Sequence, residues 1–223
     1  MMRWLYEASR YLFLAIRNSW RFAYGCYWLF RLKGPVITVF GGSRMDKDSI
    51  NARIVYDFAS LCAKNGLSIL TGGGPGVMEA ASCGARDGHV HCIQDNPGEF
   101  HTLGIGVKGL DQGFHNPCAR VIKVNDFATR KRLLILYSKA IVVFPGGIGT
   151  ADELFDVLSR INEHSLDANI PVILVDRAFW RSLYSWYQES AKSGLIKAES
   201  KDLLLCADSA QEAFDIIHAC LNK

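Results

Sequence analysis

Residues 140–153 read AIVVFPGGIGTADE. Five apolar residues, Ala140 to Phe144, run without a polar interruption. A run of that length, stopped by Pro145-Gly146-Gly147, is the pattern of a strand buried on both faces. From about Gly149 the spacing turns helical and continues to Asn162. A strand, a glycine turn and a helix in that order form one unit of an α/β sheet.

The same unit recurs on both sides of this stretch. Upstream, Val36 to Phe40 reads as a strand, Gly41-Gly42-Ser43 as its turn, and Asp48 to Lys64 as a helix stopped by Asn65-Gly66. Leu67 to Leu70 is the next strand, followed by Gly72-Gly73-Gly74-Pro75-Gly76 and a helix over about Val77 to Arg86. Thr102 to Lys108 and Arg120 to Val124 are expected strands, with residues 88–100 a loop or small hairpin between the preceding helix and the first of them. Asp126 to Ser138 is an expected helix. Downstream come a strand at Pro171 to Val175, a helix from Phe179, a strand at Leu203 to Cys206 and a helix from Ser209. Alternation of this kind predicts a doubly wound, mostly parallel, Rossmann-like α/β sheet with helices on both faces. Its ligand is expected outside the carboxyl ends of the strands.

Residues 1–34 are expected to stand apart as a basic, aromatic helical extension, with residues 35–223 forming the Rossmann-like domain. Residues 1–33 carry six basic residues against one acid, Glu7, whereas the rest carries 19 Lys and Arg against 21 Asp and Glu. A body so close to neutral has no general nucleic-acid footprint, so no nucleic-acid partner is expected. Arg10, Arg17 and Arg21 interrupt every window long enough to span a bilayer, and Tyr11 to Ile16 is too short for a secretory h-region. A cytoplasmic protein is expected. Arg3, Glu7, Arg10, Leu14, Arg17 and Arg21 mostly form one polar stripe, with aromatic residues filling much of the remaining helix surface. Such a helix packs on its own body or on a second subunit, or lies on an anionic membrane surface; packing is the commoner fate and the one expected. The seven cysteines are scattered without a C-x-x-C pair. That pattern favours reduced thiols over a disulfide framework or zinc ribbon.

Three glycine turns each open into a helix. The leading N–H groups of a helix have no internal partner and carry partial positive charge. Glycine lets an anion approach them. One such turn is as well explained by tight chain reversal alone, but three along one sheet edge favour phosphate binding. No G-K-[ST] follows any of them, so this is not a Walker loop. The dinucleotide spacing is also absent, which disfavours a nicotinamide enzyme. Asp152 and Glu153 lie in the first helical turn, where the dipole alone accounts for acids. Glu153 is also placed to reach a sugar hydroxyl, a water or a developing ribose cation. Arg130-Lys131-Arg132 falls near a helix N-terminus, against the dipole, and so hints at a use other than local stability.

Taken in order, these motifs resemble a known family. Pro145 to Glu153 is similar to the P-G-G-x-G-T-x-x-E signature of the LONELY GUY family, the cytokinin riboside 5′-monophosphate phosphoribohydrolases often labelled lysine decarboxylases. Gly72 to Ala80, Phe127 to Lys131 and Val39 to Ser43 resemble its other conserved segments, and the likeness runs over about 36–220 in the longer, bacterial-type branch. The resemblance implies hydrolysis of the N-glycosidic bond of AMP or an N6-modified AMP to free base and ribose 5-phosphate. It implies Glu153 and Arg130 as the catalytic pair and Gly146, Gly147, Gly149 and Thr150 as the phosphate loop. Ser43, Gly72, Gly73, Gly74, Met78 and Lys131 fall on the nucleotide-binding edge. It implies a homodimer or larger homo-oligomer and no cofactor. Phe127-Ala128 replaces the Met-His that precedes the R-K pair in the plant branch, so no histidine role carries over. Asp111 to Asn116 matches only loosely.

Other chemistry is less well supplied. His89-x-His91 would share one face of a strand, with Asp95 the nearest third ligand, and no metal is expected. His115 and His164 read as surface residues in polar loops. No G-x-S-x-G elbow is present, and Lys131 is the nearest candidate for a pyridoxal-type lysine. A non-catalytic nucleotide sensor or carrier is the rival reading, but it has no need of Glu153 or Arg130.

Overall fold

The computed structural model describes residues 2–90, 101–110, 113–163, 165–166, 170–197 and 202–222. His91, Asp95, Asp111, Gln112, His164 and most of the 88–101 stretch lie outside them. The chain runs α1 (Met2–Leu29), β1 (Val36–Phe40), α2 (Ile50–Lys64), β2 (Ser68–Thr71), α3 (Val77–Val90), β3 (Thr102–Val107) and β4 (Arg120–Val124). It continues α4 (Phe127–Leu136), β5 (Ser138–Val143), α5 (Ile148–Asn162), β6 (Val172–Val175), α6 (Arg177–Lys192), β7 (Leu204–Ala207) and α7 (Ala210–Leu221). All seven strands form one parallel sheet in the order β4-β3-β2-β1-β5-β6-β7.

That order places the site. The chain lays strands outward from β1 to β4, then crosses back to put β5 on the other side of β1. The reversal is the topological switch point of an open α/β sheet, where a crevice opens at the strand ends. The glycine turns after β2, β1 and β5 therefore stand side by side.

Each face of the sheet has its own core. Val55, Phe58 and Cys62 of α2, Ala81 and Ala85 of α3, and Phe214 and Ile217 of α7 cover one face. Leu133 and Leu134 of α4, Leu154 and Val157 of α5, and Trp180 of α6 cover the other. Alternate residues of β1 divide between the two: Ile37 and Val39 join the first, Val36 and Phe40 the second, as the two-residue repeat of a strand requires. Thr38 is the polar residue of this strand, and its hydroxyl donates to Leu134 O at 2.7 Å.

Helix α4 is shorter than its sequence pattern. The Asp126 side chain caps it by accepting from Thr129 N at 2.8 Å, and β5 starts at Ser138. Helix α3 is longer, so His89 lies on a helix rather than a strand. Helix α1 docks on the second core through Phe22, Cys26 and Leu29, and Gly25 lies so close to Leu133 that a Cβ would collide with its side chain. The aromatic residues of α1 whose side chains are described thus divide between a docked side and an exposed side.

Cys83 of α3 and Cys118, just before β4, form a disulfide with Cα atoms 4.8 Å apart. This corrects the expectation that all the thiols are reduced. The described residues of the connection from β3 to β4 form no helix and lie against α3: Asn116 donates to Ser82 Oγ at 3.4 Å, and Arg86 donates to Pro117 O at 3.4 Å. A separation of 35 residues in sequence hides the pairing.

Candidate active site

Gly42 ties the turns together. Its N–H donates to Pro145 O at 3.0 Å, and its carbonyl accepts from Val77 N at 3.1 Å. One residue thus joins the turns after β1 and β5 to the start of α3. Gly76 adopts φ +67°, and a Cβ there would meet Gly42 O and Ser43. The turn after β2 is consequently packed from within. Val77 N–H is used by Gly42, and Gly73 N–H by the Thr71 hydroxyl at 3.0 Å.

The turn after β5 differs. Gly147 caps α5 without any side-chain hydrogen bond. The leading amides of α5 therefore have no helical or side-chain cap. Gly146 approaches Thr150 so closely that a Cβ would overlap its hydroxyl. The α5 terminus opens on a cleft of about 630 Å³ at the switch point.

The cleft gathers residues from several elements. Ser43 and Arg44 come from the first turn, and Met78 from α3. Arg130 and Lys131 come from α4, while Gly147, Gly149, Thr150, Asp152 and Glu153 come from α5 and its cap. Leu110 and Phe127 add apolar wall. Of the remaining residues expected here, Gly146 stands behind Thr150, and Gly72 reaches the site through Arg130. Gly72 and Gly73 line a neighbouring hollow of about 120 Å³ together with Phe114, His115 and Lys123. Gly74 is buried and borders neither. Sequence reasoning missed Arg44 and Leu110. Arg44 had a signal, since a cation directly follows a glycine turn; a lone leucine between β3 and β4 has none.

Two ion pairs join α4 to α5 across this cleft. Arg130 Nη1 lies 3.1 Å from Glu153 Oε1, with both side chains 11% exposed. Arg130 Nε also donates to Ile105 O at 2.9 Å. The guanidinium is therefore held by two neighbours, the planar two-edged use that a lysine cannot reproduce. Nearer the rim, Lys131 Nζ is 2.6 Å from Asp152 Oδ2. The misplaced basic run at the start of α4 is thereby compensated by acids on α5. Burial pushes the Glu153 carboxyl above the ordinary glutamate range. Arg130 draws it back down, Asp152 adds to the rise, and Lys131 opposes it more weakly. A buried acid with a raised pKa beside a fixed cation is suited to proton handling or to facing a transient positive charge. Among the described residues, no group of His, Cys, Asp and Glu side chains could hold a metal ion.

A family model described as "Possible lysine decarboxylase" matches residues 69–217, most of the chain and all of the α4–β5–α5 region. The chain belongs to this family. Proteins with other names are similar to this chain. A cytokinin riboside 5′-monophosphate phosphoribohydrolase of Arabidopsis thaliana is 25% identical over 177 residues, covering 79% of this chain and 78% of its own. A protein of the same name from Rhodococcoides fascians is 25% identical over 176 residues, covering 77% and 84%. Among solved structures, the molybdenum cofactor carrier protein of Chlamydomonas reinhardtii superposes with a TM-score of 0.62 at 20% identity, over 85% of this chain and 99% of that one. The molybdenum cofactor binding protein of Rippkaea orientalis gives 0.61 at 23% identity, over 84% and 97%. These two structures establish the shared Rossmann-like fold.

Proposed function

We propose that this chain hydrolyses the N-glycosidic bond of a nucleoside 5′-monophosphate, AMP or an N6-modified AMP, to free base and ribose 5-phosphate. The observation that carries this reading is the buried Arg130–Glu153 pair facing the same cleft as the uncapped start of α5. The names of the relatives from Arabidopsis thaliana and Rhodococcoides fascians support it.

The 5′-phosphate sits on the leading amides of α5, with Arg44 lining the same cleft. Phosphate binding fixes the ribose so that its anomeric carbon faces Glu153. As the C1′–N bond breaks, its electron pair leaves with the base and C1′ becomes cationic. Glu153, ionised, stabilises that cation and takes a proton as water adds to C1′; that proton then passes to the nitrogen of the departing base, which leaves neutral and returns Glu153 to its ionised form. Arg130 polarises the departing base and holds Glu153 in place. Leu110, Phe127 and Met78 give the base an apolar wall.

Glu153→Gln tests the reading. Nearly the same volume remains, but the charge and the proton acceptor are lost. Base release from AMP should fall by at least about a hundredfold, the usual scale of a general acid–base group, while AMP still binds. Unchanged turnover would refute the assignment. A nucleotide carrier would bind AMP without releasing base in either form.

A further inference from the structure

Helix α1 leaves a continuous aromatic face outside the body of the protein. Phe13, Ile16, Trp20, Tyr24 and Tyr27 are 64%, 62%, 72%, 39% and 51% exposed. At about 100° per residue, they fall within roughly 80° of one another. Phe22, Cys26 and Leu29, which dock on the core, occupy the opposite side. The stripe is therefore additional to what the fold needs. Its length also exceeds the scattered apolar exposure ordinary on a protein surface.

A row of cations borders the stripe. Arg10 and Arg17 are exposed and Arg21 is half-buried. By the same helical geometry, all three fall along one edge of the aromatic face. Glu7 is the single acid in residues 1–33, which together carry six bases. A second copy packed antiparallel, stripe to stripe, would bring two such arginine rows along the same edge, with little negative charge on the two helices to offset them. An anionic lipid surface offers the complementary charge. Its phosphates meet the arginines, and its interfacial layer accepts tryptophan and tyrosine rings, whose polar ends remain hydrated. No helix among the described residues is long and apolar enough to cross a membrane. Contact would therefore be along the surface, with the helix lying flat.

We propose that the exposed face of α1 binds the protein to anionic phospholipid membranes. Phe13, Ile16, Trp20, Tyr24 and Tyr27 enter the headgroup layer, and Arg10, Arg17 and Arg21 engage lipid phosphates. The switch-point cleft is formed by other elements, so this attachment is independent of the reaction assigned to it.

Flotation of the full chain with vesicles tests the proposal. One vesicle is phosphatidylcholine alone; the other is an equal mixture of phosphatidylcholine and phosphatidylglycerol. The protein should float with the mixed vesicles and not with the neutral ones, and ~0.5 M salt should weaken that binding by screening. Phe13→Glu/Trp20→Glu alters only exposed positions of the docked helix, so its melting temperature should match the parent. Its vesicle partition should fall by at least about tenfold, the scale expected when interfacial apolar contacts are replaced by charge. Arg10→Gln/Arg17→Gln should lose binding to the mixed vesicles while keeping the aromatic face. Absence of binding, equal binding to both vesicles, or unchanged binding by the Phe13→Glu/Trp20→Glu protein would overturn the proposal. So would a parent dimer, seen by analytical ultracentrifugation, that this double variant dissociates, because it would assign the stripe to a second copy.

Discussion

Arg130 Nη2 occupies the space where a Cβ on Gly72 would stand. The Met78 sulfur would lie 2.8 Å from the same atom. Glycine is needed here for room, since the arginine must pass this point to reach Ile105 O and Glu153. The turn after β2 thus contributes to the site chiefly by yielding space to a side chain from α4.

Gly72→Ala should therefore act through Arg130. The added methyl displaces the guanidinium from Glu153 without unfolding the sheet. We expect kcat/KM for base release to fall by about tenfold or more, equivalent to about 1.4 kcal/mol of transition-state stabilisation. Steady-state kinetics with melting as a control checks this; a parent-like kcat/KM would show that Arg130 needs no such clearance.

The pH profile should record the burial of Glu153. The proposed reaction uses its ionised form, and burial raises the carboxyl pKa. The acidic limb of kcat/KM should therefore lie above the ordinary glutamate range. Asp152 contributes to the rise, whereas Lys131 counters it. Asp152→Asn should move the limb down and Lys131→Gln should move it up. The stability sign is fixed as well. A raised carboxyl favours folding below its unfolded pKa, and that contribution is lost as pH climbs through the folded value. Glu153→Gln should flatten the stability curve across that interval. Shifts of the same direction in both rim variants would disprove the charge assignment.

Arg44 faces the cleft from the turn after β1. If it helps to hold the 5′-phosphate, Arg44→Gln should raise KM for AMP by about tenfold, within the range for a charge-assisted hydrogen bond. The kcat value should change little. Hydrolysis of adenosine, which lacks the phosphate, should be equally slow in both proteins. A fall in kcat alone would place Arg44 in the chemical step instead.

The Cys83–Cys118 bond holds the β3–β4 connection against α3. Closing a loop of this size stabilises a chain by about 3–4 kcal/mol on the entropic estimate. Dithiothreitol should lower the melting temperature of the parent. Cys118→Ser should melt at that lower temperature with or without reductant. Thiol titration of the denatured protein before and after reduction provides the chemical check.

Much of the architecture was legible because β1 and β6 and the stretch Ala140 to Phe144 are almost wholly apolar, with Thr38 the one polar residue among them. Boundaries were less so. Ser138 looks like the end of a helix but is the first residue of β5, where it meets Thr38. The glycines after β2 read as an anion cradle, yet Thr71 already engages the Gly73 amide, and Gly42 the Val77 amide that follows the turn. Local composition cannot distinguish an amide aimed at a ligand from one satisfied by a neighbouring turn. For the same reason the Cys83–Cys118 pair was invisible, because residues 35 apart in sequence are brought together only by the folded β3–β4 connection. By contrast, the unfavourable charge at the start of α4 did point beyond its own helix, to Glu153 and Asp152.

Strand β5 enters the sheet between two helices that each supply one member of the Arg130–Glu153 pair. A single uninterrupted stretch, 126–162, therefore contains both charged groups and the open start of α5. The groove beside them is contributed by distant parts of the chain, including Arg44, Met78 and Leu110. In chimaeras of related proteins, the reacting apparatus should travel as one cassette, while preference for the departing base stays with the recipient scaffold.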